Sequence, residues 1–183
     1  MRSRFCHVLL GLTVAIASRL AVAAAPAPLP ALNEKVVAFA RSQVGAKVGD
    51  GVCTTLAVEA LARAGAKQYP LDRGDGDYVW GRRIESPKDA NPGDVLQFRD
   101  AVFKGRQRYS GGRIVFWNQT YPHHTAIVAA VKLDGKVLTI LHQNVGGQGV
   151  DEAGKKTVQE STLRMDSLQK GGSVRIYRPE EGP

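Results

Sequence analysis

The period of the apolar positions changes partway along the chain. Val36, Val37, Ala40 and Val44, with Phe39 beside them, and then Leu56, Ala57, Ala60, Leu61 and Ala64, recur at helical spacing. Asn33 can cap the first of these helices, Glu34 suits its dipole and Gly45 ends it. The second opens at Cys53, after a loop over residues 46–52, and stops at Gly65. Further on the apolar residues run in short blocks. Val95–Phe98 follows the turn signature Asn91-Pro92-Gly93-Asp94 and reads as a buried strand. His124–Val131 and Lys136–His142, joined through Leu133-Asp134-Gly135, form the clearest hairpin, and Ser173–Arg178 alternates as a final strand. Residues 66–91 read as loop with a short element around Trp80, and residues 145–160 as a surface loop. Leu163–Leu168 reads as a turn of helix. Arg99–Pro122 reads as a long basic segment turning at Ser110-Gly111-Gly112, with a further strand at Ile114–Trp117. Helices followed by strands predict an α+β domain built on an antiparallel sheet.

Composition adds a boundary at the N-terminus. The 183 residues are 43% hydrophobic and 23% charged, which suits one globular domain. Arg2 and Arg4 precede an apolar run from Val8 to Ala17, and small residues at 21–25 offer a cleavage site. That is the pattern of a secretory signal peptide over residues 1–25, with an organelle transit peptide as the alternative because no acid precedes Glu34. A Pro/Ala-rich linker over 26–33 and a single domain over 34–183 follow. The apolar run is too short to span a bilayer, so no transmembrane segment is expected. Removing the leader takes Arg2, Arg4 and Arg19 from the 25 bases and nothing from the 17 acids, leaving a net charge of about +5. No basic run with interleaved aromatics points to nucleic acid. A secreted or periplasmic monomer is the expectation.

The leader would also carry away Cys6, leaving Cys53 as a single thiol in an oxidising compartment. A cysteine at a helix N-terminus lies where backbone N–H groups and the dipole favour the thiolate, although a lone cysteine is also often a small buried hydrophobe. The base must come from the hairpin. A two-residue loop Asp134-Gly135 would oppose His124 to Val145. A three-residue loop Leu133–Gly135 would oppose it to Asn144, with His142 one step diagonal on the same face, and that register is predicted. His124 would then take the thiol proton, His142 or Asn144 would hold its second ring nitrogen, and the Cys53 backbone N–H would help form an oxyanion hole. His123 points the other way, as a surface or gating residue. No acid completes a tetrahedral set with the histidines, so neither metal nor cofactor is expected.

Cys53-Thr54-Thr55-Leu56-Ala57, Pro92-Gly93-Asp94-Val95-Leu96-Gln97-Phe98 and His124-Thr125-Ala126-Ile127-Val128, in this order, resemble the papain-like peptidases and amidases of the NlpC and CHAP type. His142-Gln143-Asn144 is similar to the Glu-x-Asn of CHAP domains, with His for Glu, while NlpC-type enzymes use His as the third residue. Trp80-Gly81-Arg82 through Phe98, with His123-His124, also resembles the cysteine-proteinase-fold domain of fungal myosin-tail-interacting proteins. The resemblance implies a papain-like fold with the nucleophile at a helix start, packed on an antiparallel sheet. It implies a cysteine hydrolase that cleaves an amide, often in peptidoglycan peptides, through a thioester. A non-catalytic module that binds a peptide or envelope component is the alternative. Val52 stands where NlpC-type enzymes often place an aspartate.

Overall fold

A computed structural model describes residues 28–146 and 150–183 of the protein. The expected leader falls outside them, and so does the start of the linker. Helices α1 (Ala31–Ser42) and α2 (Cys53–Ala64) come first. Six strands follow: β1 (Arg82–Ile84), β2 (Val95–Arg108), β3 (Ile114–Lys132), β4 (Val137–His142), β5 (Gln159–Arg164) and β6 (Ser173–Arg178). A single turn of helix, α3 (Glu152–Lys155), lies between β4 and β5. The strands form one antiparallel sheet in the order β1-β6-β2-β3-β4-β5. This is the α+β architecture predicted from the order of periods.

Strand alternation divides the core in two. Val95, Ile127 and Leu141 face the helices and pack with Val36, Ala40, Leu56 and Leu61, all nearly inaccessible to solvent. Each buried leucine contributes roughly 1.5–3 kcal/mol of transfer energy. Leu96, Phe98, Ala126, Val128 and Ile140 point to the other face and form a second cluster. Gly65 ends α2 in the left-handed region, as expected, at φ 80°.

Three local readings are corrected. The α1 helix starts at Ala31, so Asn33 lies in its first turn rather than capping it. Its amide nitrogen donates to Pro92 O at 2.9 Å and Asp94 Oδ1 at 2.8 Å. Asp94 also accepts from the Asn91 amide and from both sides of the Arg178 guanidinium. A Cβ on Gly93 would stand 2.2 Å from Asn33 O. The Pro-Gly-Asp motif is thus a buried pin that joins α1, β2 and β6. Val44 lies past the end of α1 and is 52% exposed. Finally, residues 145–160 are more than a loop, since β5 begins at Gln159 and pairs along β4.

Within Arg99–Pro122 the expected turn at Ser110–Gly112 and strand at Ile114–Trp117 are present, and the pairing extends further, so that the segment continues β2 and β3 throughout. Pairing runs in one register from Val95 opposite Ile127 to Arg108 opposite Ile114, interrupted where Asp100 would meet Pro122. Proline has no N–H to give, and Asp100 adopts φ 47°. The kink turns the strands over. Phe98 and Phe103, on either side of it, fall in the same cluster with Tyr121, and the His124 ring packs against Phe98 and Tyr121.

The β3–β4 hairpin reaches the predicted register by another route. Near the turn Lys132 pairs with Val137, which leaves a four-residue loop, and a bulge at Ala129 then shifts the pairing so that Ile127 meets Leu141. The Ala129 carbonyl released by the bulge accepts from Arg41 at 2.7 Å.

Candidate active site

The loop before α2 is fixed from the sheet. Gln143 follows Leu141 at the next position facing the helices, and it is fully buried. Its side-chain carbonyl accepts from Val48 N, and its amide donates to Val48 O at 3.0 Å and Val52 O at 2.7 Å. Asp50 accepts from Val52 N and the Thr55 hydroxyl, bracing the first turn. Cys53 is therefore delivered as the first residue of α2, partly exposed.

The Cys53 thiol faces Thr125, the strand residue directed toward the helices. Burial pushes its pKa up, and the Thr125 amide, the amides of Thr54 and Cys53 and the Thr125 hydroxyl pull it partly back. The Thr125 hydroxyl donates to Gln97 Oε1 at 3.0 Å. That oxygen also accepts from Trp80 Nε1, and the Gln97 amide donates to Gly76 O. Gln97 thus ties Thr125, the Trp80 segment and the 73–76 loop around the thiol.

His124 sits one position away, on the opposite face of β3, and is almost wholly buried. Tyr121 stacks on its ring at 5.1 Å between centroids. Its Nε2 lies 3.0 Å from His142 Nδ1, and His142 Nε2 lies 2.8 Å from Ser161 Oγ on β5. Burial, then the neighbouring His142, holds His124 well below the ordinary imidazole pKa, and burial does the same to His142. The two rings are neutral at pH 7. If each donates toward Ser161, from His124 Nε2 and His142 Nε2, then His124 Nδ1 keeps a lone pair that can accept a proton.

Two cavities of about 340 Å³ meet at these residues. One is lined by Cys53, Thr54, Gln97, His123, His124 and Thr125. The other is lined by His124, His142 and Ser161, with Asn144 and Tyr121 at its wall. The structure therefore joins His124 to His142 and sets both Cys53 and His124 on one cavity. Asn144 is exposed at the rim of the second, with φ 62°. His123 is exposed and lines both cavities, close to Gly76.

A cysteine at a helix start, a histidine and a third polar residue on adjacent antiparallel strands are the layout expected of a papain-like domain. The model of the AIM3/BBC1 cysteine proteinase-fold domain matches residues 31–182. The chain belongs to that family. This AIM3/BBC1 domain is also 29% identical over 163 residues to altered inheritance of mitochondria protein 3 of Debaryomyces hansenii. The match covers 80% of this chain and 16% of that relative's length. No solved structure matches.

Sequence reasoning missed Gln143, Gln97 and Ser161. Strand parity already turns Gln143 and Gln97 toward the helices, and that signal was readable. Ser161 had none, because β5 presents only Leu163 to the core. Among the described residues no cluster of three or more His, Cys, Asp or Glu side chains could hold a metal ion. No described helix is long and apolar enough to cross a membrane.

Proposed function

We propose that this AIM3/BBC1 domain is a cysteine hydrolase that cleaves an amide in a peptide by way of a thioester on Cys53. The observation that carries this reading is the chain from His124 Nε2 through His142 to Ser161, on a ring that shares a cavity with the thiol. His124 Nδ1 takes the thiol proton as the sulfur attacks the carbonyl carbon, and returns it to the leaving amine. His142 fixes the His124 ring, in the role that a third polar residue plays in such sites. The amides of Cys53 and Thr54 lie at the helix start, where they can donate to the oxyanion. Burial keeps the resting pair neutral, so proton transfer accompanies attack instead of preceding it. A peptidoglycan stem is one substrate of this class, and a leader over residues 1–25 would export the domain toward it.

The test is incubation with an N-acylated amino-acid p-nitrophenyl ester, read by intact mass and by the p-nitrophenol burst. An acyl adduct is expected on Cys53, absent in Cys53→Ala and formed roughly tenfold or more slowly in His124→Ala and His142→Ala. Adduct formation at the same rate in both histidine variants would overturn the mechanism. A non-catalytic reading, in which the cavity holds a peptide without cutting it, is favoured by one observation. The polar contacts that act on the thiol come from Thr125 and from the amides of Thr54 and Cys53, none of them a base. Failure of any acyl adduct to form would favour that reading.

A further inference from the structure

Beyond the kink at Asp100 and Pro122, the β2–β3 hairpin continues as a ribbon that ends at Tyr109–Arg113. From Lys104 to Trp117 it carries Lys104, Arg106, Arg108 and Arg113 and no acid. Pairing fixes what shares a face. Arg106 stands opposite Phe116 and Arg108 opposite Ile114, while Lys104 stands opposite Asn118. Directly opposed residues point the same way, so one face presents a column of three cations beside a column containing Phe116 and Ile114. Phe116 is 77% exposed and Ile114 38%. On the other face Trp117 lies across Gly105, where a Cβ would come within 2.4 Å of the ring.

The ribbon is continuous with the site. Asn118 and Gln119 line the histidine cavity and also a groove of about 580 Å³ bounded by Arg106, Trp117, Thr162 and Arg164. Trp117 and Asn118 pass on to a second groove, of about 600 Å³, with Lys104 and Phe116.

We infer that this ribbon docks an acidic polypeptide segment of a partner protein, with carboxylates on the cation column and apolar side chains on Phe116 and Ile114. Successive side chains on one face of a strand lie about 7 Å apart, the repeat of an extended peptide with an acid at every second position. Arginine predominates, and its planar fork pairs with carboxylates two bonds at a time. The tip, Ser110-Gly111-Gly112, is small and polar. A membrane-inserting hairpin would carry several bare rings there, whereas the only ring at this tip is Tyr109, covered by the Arg113 guanidinium, and Phe116 and Trp117 lie on the flank. Phe116 and Ile114, two of the six side chains on this face, are apolar and offer nothing to a phosphate backbone. The thiol plays no part, so the inference stands independently of catalysis.

The experiment is fluorescence anisotropy with the whole chain and a fluorescein-labelled peptide alternating Glu and Leu, against its Lys-for-Glu counterpart. Saturable binding of the acidic peptide only is expected, weakening as salt rises. The double variant Arg106→Glu/Arg108→Glu and, separately, Phe116→Ser should each weaken it by about tenfold or more. Lys35→Glu, on the exposed side of α1, should leave it unchanged. These side chains are exposed, so melting temperatures should match, which excludes misfolding as the cause. Equal binding of both peptides, or indifference to Phe116→Ser, would overturn the inference. Tighter binding of phosphatidylserine vesicles or duplex DNA through the same residues would also overturn it.

Discussion

The two sides of β3 at the site are built differently. On the helix side, Cys53 is placed through its main chain: a loop whose backbone is gripped by the Gln143 and Asp50 side chains, a helix start and the Thr125 amide. On the other side, His124 is placed by side chains: Tyr121 against its ring, His142 and then Ser161 beyond it. The first side is partly open at Cys53 itself, over a buried footing of Gln143, Thr125 and Gln97. The second is closed, and its polar atoms depend on one another. Burial raises the thiol pKa and lowers that of His124, so neither group is charged at rest, and both line one cavity.

Acid should break the histidine side first, and with the largest effect. His124 and His142 have folded pKa values depressed below about 6.5, their ordinary value when unfolded. Below that pH the unfolded chain binds protons that the folded chain refuses, so their stabilisation is complete above pH 6.5 and is lost as pH falls. Each histidine adds a slope of up to about 1.4 kcal/mol per pH unit. Urea unfolding at pH 7.5 and pH 5 should reveal both, and His142→Leu should leave a shallower slope. A stability that stays flat from pH 7.5 to 5 would contradict the buried neutral pair.

The thiol side yields to a different substitution. Gln143→Ala strands Val48 N and Val48 O in the core and leaves Val52 O without this partner, at a cost of roughly 2–3 kcal/mol by urea unfolding. It should also loosen the helix start and change the rate of Cys53 alkylation, while the acid slope from the histidines is retained. Loss of that slope would mean that the two sides are not separately built.

This difference also explains what could be read in the chain. The helix-side placement of Cys53 follows from apolar period and a stopping glycine, both local, and both are legible. The meeting of His124 and His142 follows from hairpin register. The register was predicted for a three-residue loop, but it arises from the bulge at Ala129, because Leu133 and Asp134 both take positive φ in a longer turn. Within Arg99–Pro122 the strand at Ile114–Trp117 and the turn before it are legible, while the extension of β2 through Arg108 is not, because Lys104–Arg108 is polar on both faces. Asn33 looked like a cap, but its partner Asp94 is 61 residues away. Ser161 belongs to a strand recognisable only from its pairing with β4.

Ser161→Ala tests the far end of the histidine chain. It leaves His142 Nε2 without its partner, at about 1 kcal/mol. If the hydroxyl orients the ring, the p-nitrophenol burst should slow severalfold, with KM unchanged. An equal loss of stability with an unaltered burst would make Ser161 a structural partner only.

The smallest expected effect sharpens the contrast most. Thr125→Val keeps the shape of the side chain and its backbone amide but removes the hydroxyl. Gln97 Oε1 loses one donor and retains Trp80 Nε1, so stability should fall by less than about 1 kcal/mol. The hydroxyl is the weakest of the groups that favour the Cys53 thiolate. Its removal should raise the thiol pKa slightly, and iodoacetamide alkylation near pH 8 should slow by no more than about threefold. His124→Ala makes the comparison. If the thiol is governed from its own side of the sheet, resting alkylation will respond to Thr125 and hardly at all to His124, while acylation by an ester responds to His124. The opposite result would show that a Cys53–His124 ion pair already exists at rest, and that the two sides act as one unit before any substrate binds.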